Sequence, residues 1–372
     1  MTTTGTLTFH AAHNYGSMLQ AYALQRFLLS LGFDNGIIDL RLPAQKAMYP
    51  PFRVFPAKSF PNLLQHLLDL RFKPSFDRKY RRFEQFLSED LRKTGEYRSG
   101  EELARNVPPF DFFITGSDQV WNMGAGDFDW SYFLPFARGN AVSYAASFGP
   151  DGARRDVGSV RDRMGRHLSR FKAISVREEG SAAVVREMTG LDALVLADPV
   201  LLLGREEWES RLESLPPVRP GYILVYSPSV YTPETLRMVR ETARRTGRRV
   251  VLTNPIDGKL RFKSLGFKKA FDCGPWEFLQ WLRSADLVMT TSFHAVAFSL
   301  LFERPFLTLG SRPDNRIDSL LSRVGLESRR MTECIPEGID PFSVDFSAVA
   351  PFLERERARS REYLLKNLCP ND

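Results

Sequence analysis

The sequence contains few cysteines, and their arrangement excludes two kinds of small, cross-linked protein. Only three occur in 372 residues, at positions 273, 334 and 369, and no two of them form a C-x-x-C pair. This spacing fits neither a disulfide framework nor a zinc site. A chain of this length can also bury a sizeable hydrophobic core without cross-links. We therefore expect a globular protein from a reducing compartment.

Long apolar runs are absent as well. No stretch of about 18 consecutive apolar residues occurs, so no transmembrane helix is predicted. The N-terminal segment MTTTGTLTFHAAHNYG has neither the basic start nor the apolar centre of a secretory signal peptide. The expected location is therefore the cytoplasm.

Several common ligand-binding signatures are missing too. No GxGxxG or GxxxxGK[ST] loop stands at a predicted strand exit, so dinucleotide and P-loop binding lack their usual backbone signature. No HExxH motif, paired acidic site or Cys/His cluster is found, so no metal is expected. We likewise expect no cofactor.

The charge balance is mildly basic, with 51 Lys and Arg against 44 Asp and Glu and a net charge of +7. Such a balance permits an acidic partner: nucleic acid, an anionic membrane surface or a small phosphorylated substrate. Acidic residues are spread along the whole chain, so the balance does not choose among these. A nucleic-acid binder would have to use the basic patch at 71–82, and the modest net charge argues against it. No nucleic-acid partner is predicted.

Strand-like apolar segments alternate with helix-like segments along most of the chain, which predicts an α/β protein with parallel sheets. The first such unit is a strand at LTF, a helix from about Ser17 to Leu31 and a strand at GIIDL. The proline-containing stretch SLPPVRPG separates two series of this kind. The predicted organisation is an N-terminal domain at 1–213, a C-terminal domain at 214–350 and a C-terminal helix at 351–372.

Residues 43–100 interrupt the alternation and form a variable helical insert. Tyr80, Phe83 and Phe86 share one face of a predicted helix, and the basic residues between 71 and 82 lie mostly opposite. One interpretation is a surface helix with a solvated basic side. The other is a surface that meets anionic lipid or a lipid-linked acceptor.

Ligands of open α/β sheets bind at the carboxyl ends of the strands, so polar residues at strand exits are candidate site residues. Four predicted exits and one later loop carry them. They are Asn14, Tyr15 and Gly16; Ser117, Asp118, Gln119, Trp121 and Asn122; Arg177; Ser292 and His294; and Arg312, Asn315 and Arg316. Each also has an ordinary structural interpretation, as a turn, a helix cap, a core aromatic residue or an internal ion pair. Taken together, arginines and helix N-termini at one edge would form a cradle for an anion.

His294 stands between a buried strand and an apolar helix. Ser292 is the predicted N-cap, which puts His294 in the first helical turn. The positive end of the helix disfavours an imidazolium there, whereas a bound phosphate dianion would favour it. Because the charge of His294 would depend on a bound phosphate, this strand exit is predicted to bind the donor.

The motifs at these exits resemble those of the polysaccharide pyruvyl transferases. In chain order they are NYGSMLQAYALQ (14–25), GSDQVWN (116–122), SYAASFG (143–149), SVRE (175–178), DPVLLL (198–203), TSFHAVAFSLLFERPF (291–306) and NRIDSLLSRVGL (315–326). The resemblance covers residues 7–326, with 43–100 matching least. One departure is Ala295, which stands where glycine is frequent in the family.

The resemblance implies a fold similar to the GT-B glycosyltransferases, with two Rossmann-like domains facing across a cleft. It also implies transfer of the pyruvate unit of phosphoenolpyruvate onto two hydroxyls of one sugar, giving a cyclic ketal and free phosphate. Such transfer belongs to the synthesis of exopolysaccharide, capsule or a glycolipid precursor. The expected partners are phosphoenolpyruvate as donor substrate and a sugar acceptor. A lipid-linked oligosaccharide, with peripheral contact at the inner membrane surface, is one form that the acceptor could take.

This chemistry needs cations for phosphate and carboxylate, one acid, and one base for the sugar hydroxyl. The hypothesis assigns His294 as the acid, Asp118 as the base and Arg177 as a donor-binding catalytic residue. Arg312 and Arg316 would hold the donor together with the N-terminus of the histidine helix. The remaining substrate-binding candidates are Asn14, Tyr15, Gly16, Ser117, Gln119, Trp121, Asn122, Ser292 and Asn315.

Two other enzymatic interpretations stay open. One is a nucleotide-sugar glycosyltransferase of the GT-B type, because a fold does not determine a function. It would require a nucleoside-diphosphate pocket in the C-terminal domain. The other is a family relative with a changed donor or acceptor.

Overall fold

Parallel strands and crossing helices build both halves of the protein. The computed structural model describes residues 1–50, 70–150, 158–228, 231–255, 266–310, 313–332, 334–336 and 338–369. The predicted N-terminal βαβ unit is confirmed, with β1 (Thr3–Leu7) and β2 (Asp34–Ile37) parallel and α1 (Tyr15–Ser30) between them. The Asn14 side chain caps α1 by accepting from the N–H groups of Gly16 and Ser17.

The remainder of the N-terminal half extends this sheet. Its further elements are α2 (Pro43–Met48), α3 (Lys73–Glu89), α4 (Gly100–Arg105), β3 (Phe112–Thr115), β4 (Ala141–Ser143), α5 (Ser159–Leu168), β5 (Ser175–Val176), α6 (Glu179–Thr189), β6 (Leu194–Val195) and α7 (Arg205–Leu212). The strand order is β2-β1-β3-β4, all parallel. The parallel pair β5-β6 continues the sheet through isolated bridges from Val142 to Ala173 and from Ala146 to Val176.

The C-terminal half contains a second parallel sheet. Its elements are β7 (Tyr222–Tyr226), α8 (Pro233–Thr246), β8 (Arg249–Leu252), β9 (Lys268–Lys269), α9 (Pro275–Arg283), β10 (Leu287–Thr290), α10 (Phe293–Leu301), β11 (Phe306–Leu309), α11 (Asn315–Arg323) and β12 (Arg330–Met331). The strand order is β12-β11-β10-β7-β8-β9. The chain order therefore reverses between β7 and β10, as it does between β1 and β3 in the first sheet. Such reversal points leave a crevice at the carboxyl ends of the strands.

The two halves share one hydrophobic cluster. Tyr15, at the start of α1, donates a hydrogen bond from its hydroxyl to the carbonyl oxygens of Thr253 and Cys273, each at 3.2 Å. Its ring stacks on Phe278 of α9 at 4.3 Å with an interplanar angle of 1°. This packing fixes the loop after β1 against the C-terminal half.

The C-terminal helix α12 (Val349–Asn367) returns to the first half. The Tyr363 hydroxyl donates to the Ser143 carbonyl at 2.9 Å, and the Tyr144 hydroxyl donates to Ser360 Oγ at 2.9 Å. Leu364 and Leu368 pack in a cluster with Leu24 of α1. Among the described residues, no helix has the length and apolar character needed to cross a bilayer.

Helix α3 of the insert lies between the halves, and part of its predicted basic side faces the protein. The predicted apolar face is buried through Phe83 and Phe86. Arg82, however, pairs with Glu277 at 2.9 Å and donates to the Asp272 carbonyl at 2.6 Å, and Arg78 approaches the Asp272 carboxylate at 3.5 Å. These arginines tie α3 to the C-terminal half instead of facing only solvent or lipid, because acidic partners distant in sequence fold against them.

Candidate active site

A cluster of buried charged groups lies where the two halves meet. It consists of Asp118 after β3, Arg177 and Glu178 after β5, Asp198 after β6, and His294 at the start of α10, each at most 7% exposed. Ionisable groups are rarely buried unless they are paired. Each of the predicted catalytic residues, His294, Asp118 and Arg177, belongs to this cluster.

His294 occupies the first turn of α10, as predicted. Ser292 caps the helix by accepting from the Ala295 N–H at 3.4 Å. The imidazole Nε2 lies 3.4 Å from Asp198 Oδ2, a distance suited to an ion pair and long for a hydrogen bond. On the other side the ring packs against Gly16 of α1. The histidine thus joins the C-terminal half to two elements of the N-terminal half.

Arg177 is held by carboxylates and is almost fully buried. Its Nη1 donates to Asp198 Oδ2 at 2.8 Å, and its Nη2 and Nε lie 3.6 Å from Asp118 and Glu178 respectively. Its guanidinium carbon also lies 4.4 Å from the centre of the Phe293 ring. Carboxylates thus lie near all three guanidinium nitrogens, although Nε and Nη2 form no hydrogen bond among the described residues. The geometry favours a role in holding Asp198 and, through it, His294, in place of the predicted direct contact with the donor.

Asp198 links Arg177 to His294. Burial by itself would raise the pKa of its carboxyl, but the charges and hydrogen bonds of His294 and Arg177 outweigh burial and hold that pKa well below its usual range. Asp198 Oδ2 also accepts from Ser117 Oγ at 3.2 Å. Sequence reasoning missed this residue as a site candidate, although its position directly after the strand-like ALVLA was the available signal.

Asp118 is poorly suited to the predicted role of base. Its Oδ2 accepts the Ser17 hydroxyl at 2.6 Å, and its backbone adopts the left-handed conformation with φ of 70°. Burial raises the pKa of the carboxyl, but the neighbouring charges of His294 and Arg177 lower it by more. A carboxylate stabilised in its ionised form is a weak proton acceptor.

Glu178 completes the cluster and was not among the predicted site residues. Burial raises the pKa of its carboxyl against the opposing effect of Arg177. Its Oε1 accepts hydrogen bonds from Ser147 at 2.7 Å and from Ser181. The SYAASFG motif therefore supplies a hydroxyl that holds a buried acid.

Two of the predicted substrate-binding residues lie in the interior. Trp121 is fully buried, stacks on Phe133 at 5.6 Å and donates from Nε1 to the Tyr132 carbonyl at 3.3 Å. Tyr15 forms the contacts between the halves described above. Their packing accounts for both side chains, and neither presents a free polar group to a ligand.

The other predicted residues that the structure describes bond mainly to nearby groups of the protein. Ser117 Oγ donates to the Ala145 carbonyl at 2.7 Å, and Asn122 Nδ2 donates to Gln119 Oε1 at 2.9 Å. Asn315 begins α11, and Arg316 forms a bidentate pair with Asp314 at 2.9 and 2.6 Å. Arg312 lies outside the described residues.

Gly16 is required by the close approach of His294. A Cβ atom at this position would lie 2.2 Å from His294 Nδ1 and 2.3 Å from Cγ. We expect Gly16→Ala to lower the free energy of unfolding by about 1–3 kcal/mol because the ring must move. Gly95→Ala is the matched control, since a Cβ there meets no atom within 4 Å. Urea titration measures both, and equal midpoints would contradict the contact.

Comparison with known proteins identifies both a family and a fold. The family model described as polysaccharide pyruvyl transferase matches residues 14–313. A search of curated protein sequences finds no match.

Among solved structures, the chain is similar to Staphylococcus aureus MnaA in its co-structure with UDP, at 11% identity, 100% coverage of both chains and a TM-score of 0.56. It is also similar to UDP-GlcNAc 2-epimerases. The enzyme from Neisseria meningitidis bound to UDP-GlcNAc shares 7% identity with a TM-score of 0.53, and that from Methanocaldococcus jannaschii with UDP-GlcNAc and UDP shares 13% with 0.51. Each alignment with an epimerase covers 99% of both chains. At such identities the likeness shows the fold alone, and the predicted GT-B-like fold with two Rossmann-like domains is confirmed.

Proposed function

Because the chain belongs to the polysaccharide pyruvyl transferase family, we propose that it transfers the pyruvate unit of phosphoenolpyruvate onto two hydroxyls of one sugar. The product is a cyclic ketal within a cell-surface polysaccharide or a glycolipid precursor. The observation that carries the proposal is the buried Arg177–Asp198–His294 chain at the meeting of the two halves, with its histidine on a helix N-terminus.

The atoms of this reaction balance without a further reactant. A proton adds to the methylene carbon of the enol, and one sugar oxygen bonds to the neighbouring carbon. The second sugar oxygen then displaces phosphate from that carbon. Of the two hydroxyl protons, one is accounted for by the new methyl group and the other leaves with phosphate. The site therefore needs one acid, one base and groups that neutralise the leaving phosphate.

His294 is the proposed acid. Asp198 Oδ2 lies 3.4 Å from its Nε2, and Asp118 places a second carboxylate in the same cluster. Arg177 keeps Asp198 ionised and in position. In its imidazolium form the ring can deliver a proton to the methylene carbon of the donor, and the helix N–H groups and cationic side chains of the donor side then neutralise the phosphate that leaves.

The donor anion is proposed to bind at the N-terminal end of α10. Two N–H groups there, those of Phe293 and His294, have no hydrogen-bond partner among the described residues. Such groups at a helix N-terminus favour a phosphate or carboxylate. Asn315, Arg316 and Arg312 would complete the donor side, and Asn14, Gln119 and Asn122 would contact the acceptor.

A binding experiment separates this proposal from nucleotide-sugar transfer. We expect phosphoenolpyruvate to raise the melting temperature of the protein and UDP to leave it unchanged. A shift with UDP alone would favour the glycosyltransferase alternative, since similar structures hold UDP.

Turnover then tests the reaction itself. Incubation with phosphoenolpyruvate and a panel of nitrophenyl or lipid-linked sugars should release phosphate and add the mass of pyruvate less water to one sugar. Phosphate release without a mass gain on any sugar would contradict the proposed transfer. A productive lipid-linked sugar would also support action at the cytoplasmic face of a membrane.

A further inference from the structure

A histidine–carboxylate pair outside the charged cluster lies beside the loop that follows β1. His13 Nε2 is 2.8 Å from Glu84 Oε1 on the insert helix α3. The ring lies between Phe83 at 5.0 Å and Tyr49 at 5.8 Å, with interplanar angles of 18° and 26°, and Tyr80 contacts it at 4.9 Å. These aromatic contacts fix the orientation of the imidazole.

The hydrogen bond to Glu84 determines which ring nitrogen can act. A hydrogen bond from His13 lowers the pKa of the Glu84 carboxyl, and the nearby charge of Arg41 adds to this effect against burial. When the neutral ring donates Nε2–H to the Glu84 carboxylate, Nδ1 is the nitrogen that carries the lone pair. Among the residues that the structure describes, none forms a hydrogen bond with Nδ1. The side chain is 11% exposed, so the ring reaches the surface.

The chain next to His13 contacts the proposed acid. Three residues along the chain, Gly16 packs directly against the His294 ring. The Cα atoms of His13 and Gly16 are therefore at most about 11 Å apart.

We propose that His13 is the base that takes the proton of the attacking sugar hydroxyl, with Glu84 as its positioning residue. The proton moves from the hydroxyl oxygen to Nδ1 as that oxygen bonds to the donor carbon, and Glu84 stabilises the imidazolium. This inference rests on the proposed function. It makes the insert helix part of the acceptor site. His13 takes the role of base in place of Asp118, whose carboxylate oxygens contact Ser17 and Arg177.

Glutamine at position 13 tests the role of Nδ1. Its amide can still donate to Glu84, but it has no basic nitrogen. We expect His13→Gln to lower kcat by about 10²-fold while the KM for phosphoenolpyruvate stays within a factor of about three. Glu84→Gln should lose about tenfold, because its amide oxygen still accepts Nε2–H without charge. His167→Gln is the control, since His167 packs on Trp130 and Phe133 away from the cluster.

Chemical rescue distinguishes a base from a packing residue. Added imidazole should restore part of the activity of His13→Ala and none of the activity of His294→Asn. A kcat of His13→Gln within threefold of the wild type, or no rescue of His13→Ala, would overturn the inference. If the wild type itself transfers no pyruvate, the proposed function fails. The position of the acceptor is then tested by whether sugars protect His13 from chemical modification.

Protection is measured on the wild-type protein and needs neither turnover nor a folded variant. Nitrophenyl sugars of the panel should slow diethylpyrocarbonate modification of His13 at least threefold, as mapped by mass spectrometry, and phosphoenolpyruvate alone should not. Equal rates with and without every sugar would overturn the inference.

Discussion

His294→Asn is expected to lower pyruvyl transfer by about 10³-fold and to leave the fold intact. The side chain sits at the surface of the charged cluster, and asparagine at position 294 removes the only group in the proposed mechanism that can deliver a proton to the donor. The ion pair between His294 and Asp198 is long, at 3.4 Å, and Asp198 keeps its contact with Arg177. Its loss should therefore cost little stability. Phosphate release with phosphoenolpyruvate and the sugar identified in the panel measures the effect.

The matched control is His167→Asn, which changes a partly buried histidine whose ring lies 5.8 Å from that of Trp130. This variant should keep the transfer rate of the wild type. The rise in melting temperature with phosphoenolpyruvate should persist in His294→Asn, because the helix N–H groups remain. Transfer by His294→Asn within tenfold of the wild type would remove the histidine from the mechanism.

The second large effect is expected for Asp198→Asn, which should lower the free energy of unfolding by about 3 kcal/mol at neutral pH. The substitution removes the carboxylate that Arg177 contacts at 2.8 Å and leaves only Asp118 and Glu178 at 3.6 Å, and removing one partner of a buried ion pair typically costs about 3–5 kcal/mol. Transfer should fall as well, since His294 loses its neighbouring carboxylate. Urea titrations of the two proteins measure the difference in stability.

The pH dependence of this difference has a definite sign. The pKa of Asp198 is lower in the folded protein than in the unfolded chain, so its contribution is present above the unfolded value of about 4 and is lost as pH falls below it. The difference in the free energy of unfolding between the wild type and Asp198→Asn should therefore be largest near neutral pH and become smaller toward pH 3. A difference that is constant over this pH range would contradict the assignment of this ion pair.

Asp192→Asn serves as the matched control for that experiment. Asp192 pairs with Arg186 on the surface, where its side chain is 77% exposed. Exposed pairs contribute little, so a change below about 0.5 kcal/mol is expected at every pH.

Much of the fold and part of the site could be predicted from local sequence patterns. The alternation of apolar segments identified the parallel sheets, and Ser292 followed by an apolar helix placed His294 in the first turn of α10. These features depend on residues within one or two turns of each other, so the neighbouring sequence is sufficient to predict them.

The partners of each charge could not be predicted in this way. Arg177 was expected to face a donor, and Arg78 and Arg82 were expected on a solvated or lipid-facing side. Each instead meets acidic groups from distant elements: Asp198 for Arg177, and Asp272 with Glu277 for the two arginines of α3. Sequence spacing contains no information on which carboxylate arrives opposite a given cation.

The sequence by itself determined the parallel α/β architecture, the polar strand exits and the helical position of the histidine. Only the tertiary structure decided that Arg177 is enclosed by carboxylates, that Trp121 and Tyr15 are packing residues, and that His13 meets Glu84. Hydrophobic periodicity and helix capping depend on residues close together in sequence. The ionisation of a side chain and its hydrogen-bond partners depend instead on the groups that the folded chain brings within a few ångströms.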